Sequence, residues 1–269
     1  MKSFVHPVTG KACYLGKDPF ARDHRDLMLK SYIDKSALID SGLIPALPDW
    51  QSMPTVTGAL PIPDTDPEGN ELSGNCVLAA PAHMVNMIGQ QTGNSSLVVT
   101  RSMALAAYTK YTGYDAFTGA NDNGWQVRSM LKAWKKDGLY GTKCMAFALV
   151  DWTDPDEVAL ATWLAGGTIG GYDLNKEIWN QVDDKGNFTW SVPSTGFGPS
   201  IGGHCMYQHG SRNWTTWGQS AVATQEWTDK RCDELWMALT DKWVLPNGVA
   251  PNGFAFADLL TDAQARSNA

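Results

Sequence analysis

The chain has 269 residues, enough for one large domain or two small ones, and its 43% apolar and 18% charged content is typical of a folded globular protein. Its 28 acidic residues outnumber its 21 basic residues, which gives a net charge of -7. Because phosphate binding requires clustered Lys and Arg, this balance disfavours nucleic acid as a partner.

Hydropathy and cysteine spacing exclude further classes of protein. No stretch approaches the roughly 18 apolar residues of a membrane span, and no apolar run follows the charged start, so we expect neither a membrane span nor a secretory signal peptide. The cysteines form no CxxC pair, which disfavours a disulfide framework or a zinc ribbon. Single thiols are left to explain, at Cys13, Cys76, Cys144, Cys205 and Cys232.

The first half of the chain is predicted to be mainly helical. Residues 1–43 form an N-terminal arm with a short helix around 27–39, and the prolines of segment 45–67 predict loops. Asn75 is a good N-cap for a helix that begins at Cys76, which Pro81 should kink. Periodicity then predicts helices over 101–111 and 127–137, a strand over 144–150 and a capped helix start at 154–157.

The second half is predicted to be rich in strands. Strands are expected over 168–174, 188–192, 204–208, 214–217 and 220–224, followed by a helix over 228–239 and a strand over 243–245. This segregation predicts an α+β fold. We expect one domain over residues 44–269, with a helical subdomain over about 70–165, a β-rich subdomain over about 166–248 and a C-terminal tail.

One cysteine and one histidine stand in settings that favour catalysis. Cys76 begins a predicted helix directly after Gly74-Asn75, and a helix N-terminus favours the nucleophilic thiolate form. His204 follows Gly202-Gly203 at a strand start, where paired glycines allow another backbone to approach closely. Such a thiol and imidazole together can form a nucleophile and its base.

These motifs together resemble the papain-like cysteine peptidases. The likeness lies in Asp49-Trp50, Gly74-Asn75-Cys76, Gly203-His204-Cys205 and Thr215-Thr216-Trp217-Gly218, with a Cys-to-His separation close to that described for papain-type enzymes. More closely, residues 70–243 resemble papain-like proteins found in bacteriophages and actinobacteria. The shared landmarks are Ala82-His83, Thr112-Gly113-Tyr114, Asp122-Asn123-Gly124, Gly202-Gly203-His204 and Thr216-Trp217-Gly218.

The resemblance implies a role for each matching residue. Cys76 would be the nucleophile and His204 the general base and acid, while the amide of Asn70 would contribute to the oxyanion hole. Thr215 takes the position of the asparagine that normally orients the imidazole. Two nearby residues would assist: Asn213, as a substitute orienting group on the same strand face, and Trp217, as a shield from water.

The fold and function implied by the resemblance are also specific. We expect a helical half followed by an antiparallel sheet or barrel half, with the active-site cleft between them. The expected activity is that of a thiol hydrolase, a cysteine peptidase that cleaves an amide bond of a polypeptide substrate through an acyl-enzyme and requires no cofactor. Because Thr215 replaces the orienting asparagine, the alternative is a catalytically impaired structural or accessory protein of a phage particle, whose partners are phage assembly proteins. The expected location is the host cytoplasm or the virion.

The arm and the candidate metal ligands leave two further questions. If residues 1–43 are an inhibitory propeptide, they should lie across the cleft, and if they pack on the back, zymogen control is not expected. His204 and His209 should point to opposite strand faces, and Cys76 and His83 should lie about 10 Å apart along their helix, so no shared metal is predicted. Segment 64–75 mimics the first half of a calcium loop but has Asn75 at its twelfth position, so it is predicted to be an acidic turn.

Overall fold

The structure, a computed structural model, describes residues 2–33, 35–40, 42, 44–245 and 247–255. Within these residues the chain forms six α-helices and nine strands. The helices are α1 (Lys35–Asp40), α2 (Cys76–Thr92), α3 (Arg101–Thr112), α4 (Val127–Asp137), α5 (Pro155–Ala165) and α6 (Gln225–Arg231). The strands are β1 (Lys2–Val5), β2 (Ala12–Leu15), β3 (Cys144–Leu149), β4 (Thr168–Asn175), β5 (Phe188–Trp190), β6 (Ser200–Gly210), β7 (Asn213–Thr216), β8 (Gln219–Ala223) and β9 (Cys232–Thr240).

Seven strands pair in one sheet in the order β3-β9-β4-β6-β7-β8-β5, and β1 pairs with β2 in a separate hairpin. All the neighbours in the sheet are antiparallel except β5 and β8, which are parallel. Strand β6 is the fourth of the seven, and α2 packs against it. The predicted α+β class is confirmed, and the papain-like arrangement of the elements stays a prediction.

The segment predicted as a helix over 228–239 is mostly a strand. Helix α6 ends at Arg231, and β9 begins at Cys232 and pairs with both β3 and β4. The prediction was wrong because residues 235–239 are all buried, and a run that is apolar on both faces has no strand alternation to detect. The strand expected at 243–245 is also absent, since the described residues there form a turn in which the Trp243 N–H donates to the Thr240 carbonyl at 3.2 Å.

Two predictions about the helices need correction. The helix expected over 27–39 is divided into a 3-10 turn at Leu29–Ser31 and the short helix α1, and Asp34 lies outside the described residues. Asn75 does stand at the N-cap of α2, but its side chain caps no backbone N–H. Its Nδ2 instead donates to the Glu68 carbonyl at 2.8 Å, so the amide holds the preceding loop to the helix start.

The N-terminal arm contributes to the hydrophobic core. Cys13 and Leu15 of β2, together with Leu29, are buried among the core residues. Further along, the Leu149 N–H donates to the Leu27 carbonyl at 2.7 Å, which extends the arm along β3. None of the helices that the structure describes combines the length and the hydropathy that a membrane span requires.

Buried tryptophans join the loop before α2 to helix α5 and to the turn after β9. The Trp50 Nε1–H donates to the Thr162 carbonyl at 2.8 Å. Its ring stacks on Trp163 with a centroid separation of 4.9 Å and meets the edge of Trp243 at 4.8 Å. Trp50 therefore combines apolar burial, ring packing and a satisfied indole donor.

We predict that Trp50→Ala lowers the free energy of unfolding by about 3–5 kcal/mol, because it leaves a large cavity between packed rings. The measurement is urea unfolding followed by circular dichroism. Phe117→Ala is the matched control, since Phe117 is 97% exposed and its truncation should change stability by less than about 0.5 kcal/mol. Equal losses in the two variants would contradict the assigned role of Trp50.

Candidate active site

Cys76 is the first residue of α2 and is buried, with 1% of its surface exposed. Burial raises the pKa of its thiol to about 11, although backbone hydrogen bonds from Cys205, Gly16 and Val77 favour the thiolate. The N–H groups thus come from three separate parts of the chain: β6, the arm and the first turn of α2. At neutral pH the sulfur is a protonated thiol surrounded by amide donors.

His204 lies on β6 and is equally buried. Its Nε2 is 2.6 Å from Thr216 Oγ1, and its ring stacks on Trp217 with a centroid separation of 4.0 Å and an interplanar angle of 14°. Burial, and to a smaller extent the charge of His83, lowers the pKa of His204 to about 3. The imidazole is therefore neutral at pH 7.

The structure brings Cys76 and His204 into one buried region without a hydrogen bond between them. The N–H of Cys205, the residue that follows His204, lowers the pKa of the Cys76 thiol, and the start of α2 lies against this part of β6. The Nδ1 atom of His204 is buried and has no hydrogen-bond partner in the described part of the chain. The pair is therefore a neutral thiol and a neutral imidazole, not an ion pair.

The structure places Thr216, and not Thr215, against His204. Thr215 Oγ1 instead accepts from Gln51 Nε2 at 3.4 Å, and Asn213 Nδ2 donates to Asp49 Oδ2 at 2.7 Å. Thr215 and Asn213 do share a strand face, but it is the face opposite His204, because neighbouring residues of a strand point to opposite sides. Matching the family motif without the strand register therefore selects the wrong threonine.

Trp217 reaches His204 from a tight turn between β7 and β8. Trp217 and Gly218 have φ values of 51° and 72°, as in the two-residue hairpin turns that suit twisted strands. A positive φ is costly for a residue as large as Trp, so the surrounding contacts must hold it there. Two of these are the stacking on His204 and the hydrogen bond from Trp217 Nε1 to the Tyr14 carbonyl at 3.1 Å.

Asn70, the expected oxyanion donor, is engaged within its own loop. Its side-chain Nδ2 donates to the Ser73 carbonyl at 3.0 Å, and its backbone carbonyl accepts from the Tyr14 N–H at 3.1 Å. Both groups are buried, so the amide shapes the loop that leads into Cys76. An amide Nδ2 carries two hydrogens, so the bond to Ser73 occupies one of them and leaves one for a further acceptor.

The N-terminal arm passes between two walls beside Cys76. On one wall the Trp125 N–H donates to the Gly16 carbonyl at 2.9 Å, and the Asp18 N–H donates to the Trp125 carbonyl at 3.0 Å. On the other wall the Lys17 N–H donates to the Gly203 carbonyl at 3.1 Å. The arm is therefore held as an extended strand, parallel at Trp125 and antiparallel at Gly203.

Glycines permit this close approach. A Cβ atom at Gly16 would lie 1.7 Å from the Gly74 carbonyl oxygen. One at Gly124 would lie 2.2 Å from the Gly16 oxygen, and one at Gly203 would lie 2.4 Å from the Lys17 oxygen. The glycines before Cys76 and His204 thus form the walls of a narrow groove, and the arm fills it.

A buried ion pair anchors the arm at this point. Lys17 Nζ lies 3.0 Å from Asp233 Oδ2 and 3.3 Å from Glu234 Oε1, and 1% of the Lys17 side chain is exposed.

Asp122 ties the groove wall to the loop before Cys76, since its carboxylate accepts from the Gly74 N–H at 2.9 Å and from the Tyr108 hydroxyl at 2.8 Å.

No protein-family model matches this chain. No curated protein is significantly similar to it either. Its function is therefore inferred from the geometry of the site.

We predict that His204 makes the fold sensitive to acid. Unfolding exposes the imidazole, which then binds a proton below about pH 6.5, whereas the folded state binds one only near pH 3. Stability should therefore fall as the pH falls through this window, by up to about 1.4 kcal/mol per pH unit. In His204→Gln this component is lost, so the slope of unfolding free energy against pH, measured by urea titration, should be shallower.

Other groups titrate in the same window, so the difference between the two proteins is the relevant quantity. His24→Gln, which replaces an exposed histidine of the arm, is the control and should follow the wild-type curve. Parallel curves for wild type and His204→Gln would contradict a buried neutral imidazole.

Proposed function

We propose that the protein is a papain-like thiol hydrolase, a peptidase that uses Cys76 and His204, and that its own N-terminal arm keeps the site closed. The observation that carries the proposal is the extended backbone of residues 16–18, hydrogen-bonded to both walls of a groove beside Cys76. Backbone pairing on both sides lets a groove bind polypeptide of varied sequence. A groove that holds one extended strand next to a thiol is suited to holding a substrate there.

The contact between the arm and the sulfur favours inhibition over cleavage. The Gly16 N–H lies close enough to the Cys76 sulfur to lower the pKa of the thiol, against the larger effect of burial. Attack on a peptide requires a carbonyl carbon at that place, because the thiolate adds to an electrophile. The arm therefore blocks the nucleophile without presenting a bond to it.

Departure of the arm would change the protonation of the pair. Burial raises the pKa of Cys76 and lowers that of His204, so entry of water should move both values toward a thiolate and an imidazolium. Thr216 and Trp217 would hold the ring while His204 protonates the leaving amine. Water would then hydrolyse the thioester, with backbone N–H groups at the start of α2 stabilising the oxyanion.

We predict that Gly16→Ala opens the site. The added methyl group meets the Gly74 carbonyl, so the arm must leave the groove. The rate at which a thiol-directed probe labels Cys76 at neutral pH, read by peptide mass spectrometry, should rise at least about tenfold. Cys144, which lies on β3 outside the groove, should label no faster. Adding His204→Ala to Gly16→Ala should remove most of the gain.

Gly10→Asn is the control for this experiment, because Gly10 lies in the turn between β1 and β2 with open space around it. Asparagine tolerates the positive φ of 68° found there. Limited trypsin cleavage after Lys17 reports independently whether the arm has left. A released arm with Cys76 no more reactive than Cys144 would count decisively against a hydrolase.

A permanently closed structural protein is the second candidate, as expected for a component of a phage particle. The observation that favours it is the integration of the arm, since Cys13, Leu15 and Leu29 belong to the core. Lys17 also forms two ion pairs in a buried setting, and breaking them would expose uncompensated charge. Removing such an arm would cost much of the stability of the fold.

The structural role predicts that Cys76→Ala has no effect on assembly. Virions of the encoding phage should contain the full chain with its arm uncleaved, as judged by mass spectrometry of purified particles. Particles carrying Cys76→Ala should assemble and infect at wild-type levels, because alanine fits the buried position and removes only the thiol. Loss of infectivity with normal assembly would support the hydrolase instead.

A further inference from the structure

A histidine and two carboxylates converge outside the candidate active site. Asp64, Glu68 and His83 each offer one ligand atom, and these atoms all lie within 4.8 Å of one another. Asp64 and Glu68 belong to the loop before α2, and His83 lies two turns into that helix. Asp64 Oδ2 is 2.9 Å from His83 Nδ1.

A neighbouring amide fixes the two carboxylates. Asn86 Nδ2 donates to Asp64 Oδ2 at 2.8 Å and to Glu68 Oε1 at 3.1 Å. Asn86 is held in turn, since its Oδ1 accepts from the Val99 N–H at 2.7 Å. Support of this kind around a ligand set is typical of metal sites.

The ion pair between His83 and Asp64 leaves the third member of the cluster, the buried carboxylate of Glu68, with one oxygen that it does not pair. Glu68 is 1% exposed, and its Oε2 atom has no hydrogen-bond partner among the residues that the structure describes. A buried carboxylate oxygen without a partner is costly. A cation held between Glu68, Asp64 and His83 would compensate it.

Water can reach Asp64, one member of the cluster, from one side. An open groove of about 530 Å³ is lined by Asp64 and Asn86, together with residues of the 55–63 and 93–98 segments. An ion bound at the inner edge of this groove could complete its coordination with water molecules. In a tetrahedral Zn²⁺ site with bonds of about 2.1 Å, the ligand atoms are about 3.4 Å apart. The Asp64–His83 pair, now at 2.9 Å, would open by about 0.5 Å, and a separation of 4.8 Å would close by about 1.4 Å, shared between two side chains.

We propose that Asp64, Glu68 and His83 bind a divalent transition-metal ion, with Zn²⁺ as the preferred ion. One imidazole nitrogen with two carboxylates suits Zn²⁺, whereas Ca²⁺ and Mg²⁺ prefer oxygen ligands alone. The ion would take the place of the proton between His83 Nδ1 and Asp64 Oδ2, and that proton would pass to solvent. It would cross-link the loop to α2, the helix that begins with Cys76.

The ligand set differs from the calcium loop that the sequence mimics. Asp66, the third position of that mimic, is outside the cluster: its Oδ1 accepts from the Glu68 N–H at 2.9 Å and lies 3.5 Å from Arg101 Nη2. Asp66→Asn therefore changes a carboxylate two residues from both Asp64 and Glu68 without removing a ligand, and it is the matched control.

The test is a titration of the full chain with ZnCl₂ after dialysis against EDTA. Isothermal calorimetry and atomic absorption should give about one Zn²⁺ per chain, and the melting temperature should rise with Zn²⁺ but not with Ca²⁺. Glu68→Gln and His83→Gln should each weaken binding at least about tenfold, and Asp66→Asn should bind as the wild type does. Co²⁺ in place of Zn²⁺ should give a visible absorption band that His83→Gln loses.

Several results would overturn the proposal. These are the absence of saturable Zn²⁺ binding by the wild type, equal stabilisation by Ca²⁺, and unchanged binding in both ligand variants. A Co²⁺ spectrum with thiolate charge-transfer bands would place the ion on cysteines and would equally refute it. Circular dichroism establishes that each variant is folded, and if one is not, the other variant and the wild-type stoichiometry still decide.

Discussion

The organisation of the site depends on one close approach of backbones. The arm at Gly16 and Lys17 passes between the segment at Trp125 and strand β6, beside the loop before Cys76. Side chains at Gly16, Gly124 or Gly203 would occupy the space of a neighbouring carbonyl. Because the walls bind the arm through backbone groups, the arm completes a short sheet across the groove. The same contact brings the Gly16 N–H near the Cys76 sulfur, in a region where both Cys76 and His204 are buried.

Exclusion of water determines the protonation of the site. A thiol and an imidazole form a reactive ion pair only when the charged forms are stabilised, and here burial outweighs the amide donors and the helix start around the sulfur. The same residues could therefore be an inactive, stable core while the arm is in place and a nucleophilic pair once it leaves. Under the proposed function, latency and catalysis would differ by hydration, without any change in the residues at the site.

Local patterns predicted most helices and most strands of the sheet, because amphipathic periodicity and turn residues are local properties. They failed at residues 232–240. Strand β9 pairs with β3 along one edge and with β4 along the other, and because the side chains on both of its faces are buried, its apolar run resembles a buried helix. They also gave Asn75 a capping role, although its amide bonds to Glu68. In both places tertiary contacts override a local preference.

The sequence by itself determined that Cys76 begins a helix and that His204 follows a glycine pair on a strand, since the pattern of neighbouring residues encodes both. Only the tertiary structure decided that Thr216 faces His204, because a shift of one residue in strand register exchanges the two faces. Only the fold, likewise, brought Gly16 to Cys76, and Glu68 to His83. These pairs are distant along the chain or lie on different elements, and no local pattern specifies which distant segments meet.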